Sequence, residues 1–153
     1  MEETIGKLRE VSGFTYDILY DLIFTSERVV VILIQSPSNA IQYSSFMSML
    51  IGDWYSNRKI QEDRIKFSEE LQRQSKTLSL DELLRLNPGN FEIRYSDLSF
   101  IKMKHSLLDN RLTFQWADPT VRKPRSVFTL NKVHLTELKA IFPKIPRHLI
   151  RQD

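Results

Sequence analysis

Three histidines, His105, His134 and His148, are the first residues to test for metal or acid–base chemistry. None has a second ligand at helical or hairpin spacing, so they read as surface or interface residues rather than a metal set. The chain has no cysteine, which removes disulfides, zinc-thiolate sites, iron–sulfur clusters and thiol nucleophiles together. Serines are plentiful, but no Gly-x-Ser-x-Gly elbow surrounds any of them, and four glycines build no phosphate-cradling loop. The carboxylate pairs Glu62-Asp63 and Glu69-Glu70 sit in a stretch rich in Lys and Arg. Their spacing predicts i, i+4 ion pairs, such as Glu62 with Lys66 and Glu69 with Arg73, worth roughly a few tenths of a kcal/mol each. The expectation is a protein that is not an enzyme and needs neither metal nor cofactor.

Recognition of charge is the chemistry that remains. The 22 Lys/Arg and 19 Asp/Glu give a formal net charge of +3 and a pI near 9.2. Residues 119 to 153 hold eight of the basic residues against Glu137 and Asp153, a net of +6, which leaves the first 118 residues at −3. Arg122, Lys123 and Arg125 are the densest cluster, in or beside a loop bounded by Pro119 and Pro124. Prolines reduce the entropy lost when a loop is fixed on a ligand, so these three residues are the candidate site for an anion or an acidic partner. A solvated connection with no ligand is the competing reading. Nucleic acid stacking on Trp116 or Phe128 is disfavoured, because Phe114 and Trp116 alternate with polar residues as a buried strand face does.

These residues need elements to hold them. Ile5 to Val11, Tyr16 to Phe24 and Arg28 to Gln35 are rich in β-branched and aromatic residues and read as strands, the last as a central one. From about Ser44 to Leu86 the apolar period switches from 2 to 3.6, a helical insertion. Its last helix has a capping-box form in Ser79-Leu80-Asp81-Glu82 and stops at Asn87-Pro88-Gly89. Alternation returns at Phe91 to Tyr95, Phe100 to Lys104 and Arg111 to Trp116, with Asp109-Asn110 as a hairpin turn, and a last strand runs from Ser126 to Leu130. Asn131 then caps a final helix carrying Leu135, Leu138, Ile141 and Phe142.

Two stretches resemble the pleckstrin-homology-like superfamily, in particular its small prokaryotic PH-like and GRAM-like members. Asp21-Leu22-Ile23-Phe24-Thr25-Ser26-Glu27-Arg28-Val29-Val30-Val31 is similar to the family's strand, Thr-x-x-Arg, strand hairpin. Phe91 to Ile101 is similar to its I-P-Y-S-D-I-x-x-I strand, with Arg94 where proline is common. The resemblance covers most of residues 10 to 143 apart from the insertion. It implies an α+β fold: a mainly antiparallel PH-like β-barrel or sandwich of six or seven strands, with a helical insertion at about 44–86 and a C-terminal capping helix, all in one domain.

Within that frame the leading expectation is a protein-interaction or scaffolding module. The apolar first part of the insertion places Met47, Leu50, Ile51 and Trp54 at a homodimer interface. The same face, followed by Arg58-Lys59, is the alternative: a peripheral binder of anionic lipid surfaces. No apolar run approaches the ~20 residues that span a bilayer. The charged start MEETIGKLRE is unlike a secretory leader, so the expected location is the cytoplasm, extending to the membrane periphery under the lipid reading.

Overall fold

The computed structural model describes residues 2–13, 18–35, 79–121 and 124–152. Three strands, β1 (Thr4–Ser12), β2 (Leu19–Thr25) and β3 (Arg28–Gln35), form an antiparallel meander. A short helix α1 (Leu80–Arg85) precedes β4 (Phe91–Arg94), which pairs with β3. A 3₁₀ turn at Tyr95–Asp97 leads to β5 (Leu98–His105), followed by β6 (Asn110–Trp116), β7 (Arg125–Leu130) and helix α2 (Lys132–Ile141). Two further 3₁₀ turns lead to β8 (Ile150–Gln152). The hydrogen-bonded order is β4-β3-β2-β1-β7-β6-β5-β8. The element order, strands then helix then strands then a closing helix, is the one the PH-like resemblance implies.

Three expectations are corrected. Among the described residues the sheet has eight strands, because β8 adds to β5 in parallel, Ile101 opposite Ile150, so Ser126 to Leu130 is not the last strand. The β5–β6 connection is Ser106 to Asp109, and Asn110 already belongs to β6. His134 is not a surface residue: it is buried and both ring nitrogens are bonded. Of the insertion, only α1 and its capping Ser79, whose hydroxyl accepts from the Glu82 amide at 3.2 Å, lie within the described residues.

The sheet bends around its core. β2 and β6 are three places apart, which in a flat sheet would separate them by ~14 Å. Yet the rings of Phe24 and Phe114 lie 6.5 Å apart, and Tyr20 of β2 meets Phe128 of β7 edge-on at 5.7 Å. One cluster, with Leu8, Leu22, Val31, Ile101, Leu112 and Phe114 fully buried, fills the concave side. The opposite face of β2 and β3 carries Ile23, Val30, Ile32 and Ile34, which α1 covers with Leu83. Burial on both faces is why β3 reads as a continuous apolar run rather than an alternation.

α2 packs on β1 and β7 and adds Leu138 and Ile141 to the core. Its approach to β1 is close: a Cβ at Gly6 would lie 2.7 Å from Ile141 Cγ1. The helix starts with a reciprocal cap, in which Asn131 Oδ1 accepts from the His134 amide at 2.9 Å and the Asn131 amide donates to His134 Nδ1 at 3.0 Å. His134 Nε2 then donates to the Arg9 carbonyl at 2.6 Å. That carbonyl belongs to a bulge in β1 between Leu8 and Val11, where Glu10 takes φ 52° and its amide donates to Asp21 Oδ1 at 2.9 Å. The Asp21 carboxyl sits above its ordinary range, raised by burial against the lowering pull of the Glu10 amide.

Candidate functional site

The stretches that carried the family resemblance meet in space. Thr25 ends β2 fully buried, and its hydroxyl accepts from the amides of Glu27 and Arg28 at 3.1 and 2.9 Å, which closes the β2–β3 turn. The Tyr95 hydroxyl donates to the Thr25 carbonyl at 2.8 Å, and its amide to the Glu27 carbonyl at 3.1 Å. Burial pushes the Tyr95 phenol well above its ordinary range. Arg28 is held by Glu2, Glu92 and Asp81, with its Nε 2.8 Å from Glu2. Hydrogen bonding to Arg28 holds the Glu2 and Glu92 carboxyls below their ordinary range. The cluster ties the N-terminus, β3, β4 and α1 together, and the guanidinium donates four hydrogen bonds to these three carboxylates. It is an architectural site.

The basic loop lies at the opposite end of β2. Trp116 donates its amide to Pro124 O at 2.9 Å, the Gln115 amide group also bonds Pro124 O at 2.9 Å, and Asp118 folds back on Thr120 through bonds of 2.9 and 2.7 Å. The Thr120 bonds hold the Asp118 carboxyl below its ordinary range. Of the three predicted ligand residues, Arg125 is exposed at the start of β7, opposite Gln115; Arg122 and Lys123 lie outside the described residues. The predicted interface residues Met47, Leu50, Ile51 and Trp54 also lie outside them.

Arg125 borders a cleft walled by Gly13, Tyr20, Phe91, Trp116 and Phe128, with Arg111 and Asp109 also in its lining. Tyr20 is edge-on to both Phe91 and Phe128, and burial raises its phenol above the ordinary range. Gly13 is needed at this wall because a Cβ there would lie 2.9 Å from the Tyr20 ring. β7 pairs with β6 along its whole length, but with β1 it shares a single register position, Ser12 with Thr129. Among the described residues, therefore, the edge of β7 from Arg125 to Phe128 has no ladder partner on the cleft side. No residue pattern marks this edge, since the divergence of β1 from β7 is a property of the bent sheet.

A second surface was also missed. The turn between β5 and β6 is closed by the Ser106 amide to Asp109 O at 3.1 Å and by the Asp109 amide to Ser106 Oγ at 3.0 Å. The two residues it holds outward, Leu107 and Leu108, are 105% and 97% exposed. Among the described residues no group of side chains could hold a metal ion, and no helix is long and apolar enough to cross a membrane.

No protein-family model matches this chain. No curated protein matches it in sequence. Among solved structures it is similar to the Vps36 N-terminal PH domain, at 10% identity over 94% of this chain and 79% of that one, with a TM-score of 0.46. A likeness that distant adds nothing to the strand order and helix placement described above, on which the α+β description rests.

Proposed function

We propose that this chain is a non-catalytic PH-like binding module that takes an extended, acidic segment of a protein partner along the β7 edge. The observation that carries the reading is the cleft itself, where a stretch of strand with no ladder partner among the described residues runs from Arg125 past aromatic side chains. An added strand would satisfy the amides and carbonyls of that edge, and its alternate side chains would enter the aromatic wall. Arg125 would select acidic residues beside the edge, and the predicted Arg122 and Lys123 would extend that preference.

The test is amide-resolved titration with peptides that alternate Asp or Glu with apolar residues. Val127 and Gly13 amides are expected to shift, with an affinity that falls as salt is raised and weakens about fivefold or more in Arg125→Glu. Peptides that leave these amides unmoved at low ionic strength, or bind Arg125→Glu as tightly as the native chain, would refute it.

A further inference from the structure

The central positions of a tight turn normally take Gly, Asn, Asp or Ser, whose backbone preferences and short polar side chains suit the bend and the solvent. The β5–β6 turn places leucine at both, and its closing bonds leave the pair standing fully in solvent at a convex tip. Residues that break a local rule without a folding benefit point to a use.

The strands behind the tip supply the second observation. β5, β6, β7 and β8 lie side by side and contain no Asp or Glu at all, while they carry Lys102, Lys104, Arg111, Arg125 and Arg151. Lys104 is directly opposite Arg111 in the ladder, and Lys102 directly opposite Arg151. Like charges placed in register destabilise a sheet. The turn's Asp109 offsets part of this by accepting from Arg111 Nε at 2.6 Å, and Arg151 lies over the Phe100 ring at 4.4 Å. Met103 and Leu112 point inward between these pairs, so the cations share the outward face.

We infer that the β5–β6 hairpin is a wedge for an anionic lipid surface: Leu107 and Leu108 enter the interfacial layer while Lys104 and Arg111 meet the headgroups. Lys102 and Arg151 lie one pleat further back, ~7 Å along the strand, still within the ~10 Å over which charge acts at moderate salt. A protein partner would need a deep pocket shaped to two protruding leucines. A bilayer interface accepts an apolar wedge of any shape and supplies phosphates around it, which fits a convex tip in a cationic collar. Arg111 also lines the β7 cleft, but Leu107, Leu108 and Lys104 do not, so the leucine variant tests the tip apart from the cleft.

The chain has no cysteine, so Leu108→Cys gives one attachment point for an environment-sensitive fluorophore. Sedimentation with phosphatidylcholine vesicles, with and without phosphatidylserine, measures binding, and the fluorophore reports depth. Binding is expected only to the anionic vesicles, with the probe shifting to the blue on contact. Leu107→Ser with Leu108→Ser should cut partitioning about tenfold, and Lys104→Glu with Arg111→Glu should abolish it. Both leucines are fully exposed, so the serine variant should keep the native unfolding curve, which separates lost binding from lost fold. The inference is overturned by absence of binding at low salt, by binding indifferent to the leucines, or by equal binding to neutral vesicles. Leucine-dependent self-association without lipid would overturn it too, assigning the tip to a second copy.

Discussion

Arg28 draws together three carboxylates from distant parts of the chain, its partners standing 26, 53 and 64 positions away. Replacing it by Met would leave Glu2 and Asp81 without their shared cation and Glu92 with only the exposed Arg94. The carboxyls of Glu2 and Glu92 are held below their ordinary value of 4.5, so their share of the stability is complete above that pH and is lost as pH falls through the depressed values. Chemical unfolding across acid pH should show the native chain losing stability there while Arg28→Met does not, the two curves converging as the carboxyls protonate. Thr25→Val tests the turn: two backbone amides lose their acceptor in a buried place, a cost of ~2–3 kcal/mol by urea unfolding, with Thr25→Ser costing less than about 1 kcal/mol. The Thr-x-x-Arg spacing was readable because the turn bonds are local. The acidic partners were not, since nothing in the sequence distinguishes Glu92 from other exposed glutamates.

At the scale of elements, the start of α2 is the sharpest test. The capping box normally uses Glu or Gln at its third helical position, and here His134 takes that place and also fixes the β1 bulge. His134→Ala should cost about 1–2 kcal/mol by urea unfolding, and His134→Gln should recover most of it. Asn131 was recognisable as a cap from its type and place. His134 was not, because its second bond goes to Arg9, 125 residues away. β8 was illegible for another reason: three residues are too few to show a period, and it follows two turns containing Pro143 and Pro146. The leucine tip carries no mark in the sequence, because only exposure in the folded chain shows that neither side chain turns back to the core.

Over the whole molecule, the segment after Leu130 is not an appendage. It buries Leu138, Ile141, Phe142, Ile145 and Leu149, each worth ~1.5–3 kcal/mol, which together matches the entire ~5–15 kcal/mol that keeps a domain folded. A chain ending at Leu130 should therefore lack a cooperative thermal transition, and a native-like melting curve for it would contradict this account. The strand sequence of the fold was legible in outline because each strand has its own pattern. The β7 cleft was not, being assembled from β1, β2, β4, β6 and β7. One feature of that arrangement bears on how the chain is made. β1 lies between β2 and β7, and Ser12 meets Thr129, so β1 has a neighbour that is translated 117 residues later. At ~5–20 residues per second that is a wait on the order of ten seconds. Through it the early meander carries an uncovered apolar face and an open edge, making the nascent chain a client for holding chaperones until α2 emerges.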